Sequence, residues 1–145
     1  MQGIAVTVLG PGDLPRLLAV RAGLFDQAID PAQSGAFLAD PMNVIVLAHA
    51  GDHAVGMATG TVLLHPDKPP NLLVHELGTR DGWTRRGIAT AMVQARRTAG
   101  AARGAQGMWL ATETDNDAAR GLYRRLGAAE TLVACYVWDD DDIHV

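Results

Sequence analysis

At 145 residues, with 48% apolar and 19% charged side chains, the chain is long enough to bury a core without disulfide or metal staples, and one domain over 1–145 is expected, ending in an acidic tail at 139–145. A net charge of −4 gives no support to a nucleic-acid partner and mildly favours cationic ones. No apolar run approaches the roughly 20 residues of a membrane span, and a lone cysteine, Cys135, with no apolar leader points to the reducing cytoplasm.

In chain order, Gly3–Leu9 alternates and is rich in β-branched residues, which predicts a strand ending at Gly10-Pro11-Gly12. Asp13 is placed to cap a helix, with Leu14, Leu17, Leu18, Arg21 and Leu24 at helical spacing. After a break at Asp30-Pro31, Ala32–Ala39 predicts a short second helix. Asn43–Ala50 reads as a buried strand, turned at Gly51-Asp52-His53 into a partner, Ala54–Leu64. The three prolines of His65–Asn71 remove donors and fix φ, so that stretch is a loop.

Leu72–Thr79 then predicts a third consecutive strand, followed by a loop with two arginines and a glycine. A helix of about four turns follows, with Ile88, Ala91, Met92, Ala95, Ala99 and Ala102 on one face. Met108–Thr112 reads as a strand. Ala119, Leu122, Tyr123 and Leu126 mark a last helix, capped near Asn116 and stopped at Gly127, and Ala128–Trp138 predicts a closing strand or hairpin. The order β-α-α-β-β-β-α-β-α-β implies an α/β protein with a mixed sheet, because three strands run in succession.

Leu73–Met92 organises the rest. A strand, a basic glycine loop and a helix start offer unpaired N–H groups and a positive helix end to a phosphate. The loop, Thr84-Arg-Arg-Gly-Ile-Ala89, lacks the patterns of a triphosphatase loop and of a dinucleotide fold. Its two arginines can pair with phosphate.

That loop, with Asn116-Asp-Ala-Ala-Arg-Gly-Leu-Tyr-Arg-Arg-Leu-Gly127 further on, resembles the GNAT N-acetyltransferases, which use acetyl-coenzyme A. The first segment is similar to that superfamily's Gln/Arg-x-x-Gly-x-Gly/Ala pyrophosphate motif, with Thr84 where Gln or Arg is usual, and the second to its Asn-x-x-Ala-x-x-x-Tyr-x-x-x-Gly signature. Within the superfamily the chain most resembles the aminoglycoside 3-N-acetyltransferases, through Val74-His-Glu-Leu77, the Arg-Arg-x-x-Ala-Thr-Ala helix start and Asp117–Gly127; Glu76 stands where that family is expected to have Asp. The resemblance implies a mostly antiparallel central sheet with helices on both faces, and pairing as a homodimer.

It also implies roles. Leu77, Gly78 and Thr79 would present N–H groups to the thioester, and Thr84, Arg85, Arg86, Gly87, Ile88, Ala89 and Thr90 would hold the pyrophosphate. Asn116, Ala119 and Tyr123 would contact the cofactor arm, and Tyr123 would protonate the leaving thiolate. The bland alternatives are an N-cap for Asn116 and a core aromatic for Tyr123.

Glu76 is the expected general base, because an attacking amine must be neutral and a carboxylate must take its proton; otherwise it is a strand-end glutamate paired with an arginine. His75 alternates with Glu76, so a regular strand sends it to the opposite face. A polycationic acceptor needs carboxylates, and Asp26, Asp30, Glu76, Glu113, Asp115, Asp139 and Asp140 are the candidates, in a cleft built from the loops at Asp26–Asp40 and His65–Asn71. His49, His53 and His65 lack metal-ligand spacing, and Cys135 reads as a buried small hydrophobe. Two rivals keep the cofactor: an acceptor that is a polyamine, amino-acid derivative or protein amine, and a non-catalytic coenzyme A binder.

Overall fold

The computed structural model describes residues 3–139. Two units follow one another along the chain, the first up to Ala111 and the second from Thr112.

The first unit is built on a five-stranded sheet in the order β1-β2-β3-β4-β5: β1 is Ile4–Val8, β2 Asn43–Ala50, β3 His53–Leu63, β4 Asn71–Thr79 and β5 Met108–Trp109. The first three pairings are antiparallel and the last is parallel. Three helices belong to this unit: α1 (Leu14–Leu18), α2 (Pro31–Ala39) and α3 (Ile88–Ala102).

Alternation along β2 divides the core. Val44, Val46 and Ala48 pack with Ile88, Met92 and Ala99 of α3, while Ile45 and Leu47 pack on the other face with Leu17 and Leu38 of α1 and α2. Each such fully buried aliphatic side chain contributes roughly 1.5–3 kcal/mol. Burial on both faces explains why β2 reads as a continuous apolar run, and the expected mixed, mostly antiparallel sheet between helices is what forms.

Five expectations are corrected. The first helix stops at Leu18 instead of running to Leu24. Gly23 has a φ of +97°, and the Arg80 guanidinium captures the carbonyls of Arg21 and Ala22 at 2.7 and 2.8 Å, while its Nε donates to Ala54 at 2.7 Å. Those bonds hold the chain after α1 as a loop. On α3, Ala102 is exposed and Arg96 is buried, so the inward face is Ile88, Met92, Val93, Arg96, Ala99 and Gly100.

The fifth strand is only Met108–Trp109, and among the described residues 128–138 form no strand. There the chain leaves Leu132, Val133, Tyr136, Val137 and Trp138 exposed, and Cys135 is exposed as well. The second unit holds α4, Asp117–Arg125. Asn116 Oδ1 accepts from Ala119 N–H at 3.1 Å as an N-cap. At the other end Gly127, at φ +88°, lets Ala128 N–H reach back to the Tyr123 carbonyl at 3.0 Å.

Candidate functional site

The centre of the site is an irregularity in β4. Thr59 pairs with Glu76 and Gly60 with Val74, so His75 is an extra residue, a β-bulge. A bulge breaks the period of two and allows consecutive side chains onto one face. Leu72 and Leu77 pack towards α3, and Val74 is buried. Glu76, in contrast, lines a cleft with Phe37 of α2, and His75 Nε2 lies 2.8 Å from Thr61 Oγ1 on that same face. The expectation that His75 and Glu76 face opposite ways is therefore wrong, because the strand is not regular where they sit; His75 is exposed.

Two features hold the bulge. A Cβ added to Gly60 would meet the Leu73 carbonyl at 2.9 Å, so only glycine admits the close approach. From the α3 face, the fully buried Arg96 donates through Nη1 to the carbonyls of Glu76 at 2.8 Å and Thr59 at 3.3 Å. Ladder irregularity frees carbonyls, and a buried carbonyl needs a donor.

The cleft beside Glu76 has a volume of about 530 Å³. Asp26, Asp30 and Glu76 are its acidic lining residues, Phe25, Ile29 and Phe37 supply apolar walls, and among the described residues no basic side chain lines it. Asp30 also caps α2, accepting from Gln33 N–H at 2.8 Å. Three of the expected acceptor carboxylates thus come together. The loop at 65–71, expected to form the other wall, does not line it; Thr59 and Ile45 of the sheet do. Glu113, Asp115 and Asp139 belong to the second unit and are exposed, and Asp140 lies outside the described residues.

The expected pyrophosphate loop is open. Thr84, Arg85, Arg86 and Gly87 are exposed, Arg85 and Gly87 adopt φ of +59° and +78°, and nothing lies within 4 Å of a Cβ added to Gly87. Arg86 stacks over Trp83 at 4.8 Å from the ring centroid. The first helical bond of α3 runs from Ala91 N–H to the Gly87 carbonyl, so the N–H groups of Ile88, Ala89 and Thr90 precede it. Ile88 itself is buried and can offer only its backbone. Thr84 makes the exposed corner of this turn.

On β4, the strand that leads into this loop, β5 pairs only with Leu72 and Leu73. From Val74 to Thr79, including Leu77 and Gly78, the outer edge of β4 has no strand partner among the described residues. An extended polar chain can hydrogen-bond to such an edge.

In the second unit Ala119 and Tyr123 are half-buried on α4. Asn116 turns its Nδ2 to Thr112 Oγ1 at 3.4 Å. Glu130 accepts from Arg120 at 2.8 and 3.0 Å and from Arg124 at 3.0 and 3.1 Å, and these bonds pull its carboxyl down to about 2. In the first unit, burial and then the Arg16 cation lower the pKa of His49, away from the cleft.

Arg80, Arg96, Gly60 and Thr61 belong to no motif and were not singled out from sequence. Arg96 had a legible signal: it falls eight residues after Ile88 and four after Met92, on the inward stripe.

A family model described as "Acetyltransferase (GNAT) family" matches residues 17–128. The N-alpha-acetyltransferase RimI of Mycobacterium tuberculosis (strain ATCC 25618 / H37Rv) is 34% identical over 128 residues, covering 87% of this chain and 78% of that protein. The aminoglycoside acetyltransferase meta-AAC0020 from an uncultured soil metagenomic sample, crystallised with sisomicin, has a TM-score of 0.82 at 18% identity, covering 94% of this chain and 96% of that one. AAC(6')-Iy in complex with a bisubstrate analogue, CoA-S-monomethyl-acetylneamine, has a TM-score of 0.78 at 18% identity, covering 94% and 97%. These last two are likenesses of fold.

Proposed function

The chain belongs to the GNAT family of acetyltransferases, and we propose that the amine it acetylates belongs to a small polycation of the aminoglycoside type. The observation that carries this reading is the cleft beside Glu76, with three carboxylates, aromatic and aliphatic walls and, among the described residues, no basic lining. Several ammonium groups on one small molecule match that lining.

Acetyl-coenzyme A is the family's donor, and it supplies an acetyl thioester when bound. The open loop at Arg85–Ala89 and the unpartnered edge of β4 fit such a molecule: the first offers N–H groups and arginines to a pyrophosphate, the second offers main-chain partners to an extended arm. On this reading Leu77–Thr79 N–H groups polarise the reacting carbonyl, Glu76 takes the proton of the attacking amine, and Tyr123 supplies one to the departing thiolate. Asn116 and Ala119 are proposed as cofactor contacts. Glu113, Asp115, Asp139 and Asp140 are proposed, from their charge alone, as further carboxylates for a polycationic acceptor.

We read 1–145 as one acetyltransferase domain, supported by a family match that runs across both units. A homodimer is part of the proposal, supported by the exposed apolar side chains of 132–138.

A second acceptor, the terminal amine of a protein or peptide, is favoured by the relative whose name is N-alpha-acetyltransferase. Thiol release from acetyl-coenzyme A with sisomicin, polyamines and peptides separates the two. Turnover of sisomicin supports the first reading, and activity confined to peptides replaces it with the second. Sequence resemblance points to the 3-amino group as the position modified, and NMR of the product tests that.

A further inference from the structure

His75 lies on the same sheet face as Glu76, next to the residues that line the cleft and not among them, and is fixed there by a chain of side chains whose polarity is set at its far end. Asn43 Nδ2 lies 3.1 Å from the Phe37 carbonyl, which can only accept, so the amide nitrogen must be on that side. Asn43 Oδ1 therefore faces Thr61 Oγ1 at 2.8 Å and can only accept from it. The single hydroxyl hydrogen of Thr61 is thereby committed. His75 Nε2, at 2.8 Å from the same oxygen, must be the donor, because otherwise two lone pairs would oppose each other. In neutral His75 the proton consequently resides on Nε2, and Nδ1 carries a bare lone pair on an exposed ring beside Glu76.

We propose that His75 is a substrate-binding residue, whose Nδ1 accepts a hydrogen bond from the acceptor at an amine or hydroxyl next to the one that Glu76 deprotonates. The inference rests on the acetyltransferase reading of this cleft and adds a recognition element to it. The bulge makes it feasible, since a regular strand would send His75 to the α3 face. The anchor of the chain is the C-terminal end of α2, whose Phe37 side chain walls the same cleft. Ring orientation and cleft wall are thus set by one helix.

The test uses the full chain labelled with nitrogen-15, at mildly alkaline pH. Long-range imidazole spectra should show the Nε2–H tautomer for His75, and Thr61→Val, which removes the hydroxyl and keeps the shape, should let the tautomers mix. Adding sisomicin should shift the Nδ1 resonance. His75→Ala should raise the Michaelis constant for sisomicin roughly tenfold, the size of one hydrogen bond to a charged group, with that for acetyl-coenzyme A unchanged. A Nδ1–H tautomer in the unaltered protein, or an unchanged acceptor constant in His75→Ala, overturns the proposal. If sisomicin is not acetylated at all, the acceptor reading alone has failed, and the His75→Ala comparison is decided on the peptide or polyamine that is. With no acceptor turned over, absence of any Nδ1 shift on adding sisomicin overturns it.

Discussion

Arg96 reaches from the middle of α3 to the sheet and donates to the main-chain carbonyl of Glu76 at 2.8 Å. A second bond from the same nitrogen, to Thr59 at 3.3 Å, ties both strands at the bulge. Arg96→Ala leaves two carbonyls without that donor and a void beneath them. A loss of about 2–4 kcal/mol is expected, since an unsatisfied buried acceptor costs roughly 1–3 kcal/mol. Arg96→Lys should fall between, because an ammonium lacks the planar fork. Urea denaturation reads both; a loss below about 0.5 kcal/mol for the alanine variant would rule out this support.

Gly60 is the steric counterpart. Its Cβ would sit 2.9 Å from the Leu73 carbonyl and 3.0 Å from Leu72 Cδ1. Backbone cannot yield as a side-chain tip can, so Gly60→Ala should cost about 1–3 kcal/mol, the range for overpacking. Acceptor turnover should fall with it, because β4 must move at Glu76. Wild-type stability in Gly60→Ala would show that the strands part easily there.

The layers of this fold were legible because β2 is a continuous apolar run and α3 repeats apolar residues at helical spacing, and the exposed turn before α3 because glycine and arginine cluster at a helix start. The bulge was not. Val74-His-Glu-Leu77 sets two polar residues side by side, a break in alternation too short to be read as a bulge, and the contacts that hold the extra residue come from Gly60 and Arg96, distant in sequence. The same holds for the first helix: Arg21 and Leu24 keep helical spacing, but Arg80 draws the carbonyls of Arg21 and Ala22 into a loop. Beyond Gly127, β-type residues such as Val133 and Val137 read as a strand, yet propensity supplies no partner, and among the described residues none pairs.

Glu76→Gln keeps the shape of the cleft wall and removes a proton acceptor. Its turnover should drop about 10²–10⁴-fold, the usual contribution of a general base, and lose the decline on the acid side. Tyr123→Phe should lower turnover without changing acceptor affinity. Steady-state kinetics over a pH range checks both; a Gln variant that follows the wild-type profile excludes Glu76 from proton transfer.

If the acidic cleft holds a polycation as proposed, acceptor binding is electrostatic. Asp26→Asn should raise the Michaelis constant of a polycationic acceptor and flatten its salt dependence, because one of three carboxylates is gone. Asp30→Asn should do less to binding and more to stability, since the Asp30 side chain caps α2 and an amide oxygen can still accept. If the wild-type constant is indifferent to salt, the cleft does not hold a polycation.

Glu130 gives a pH dependence whose direction is fixed by its partners. Hydrogen bonds from Arg120, then Arg124, lower its carboxyl from 4.5 to about 2 in the folded chain. A lowered folded value means that the ionised form is the one folding favours. Its contribution to stability is therefore complete above 4.5 and is lost as pH falls from there through about 2. The pair is exposed, so added salt should weaken it. Arg120→Met removes the largest cause and should move the midpoint back towards the ordinary carboxylate value, with the Arg124 bonds holding it partway. NMR titration of the Glu130 side-chain carbonyl reads both midpoints, and a wild-type midpoint near 4.5 would mean that the arginines of α4 do not hold it in solution.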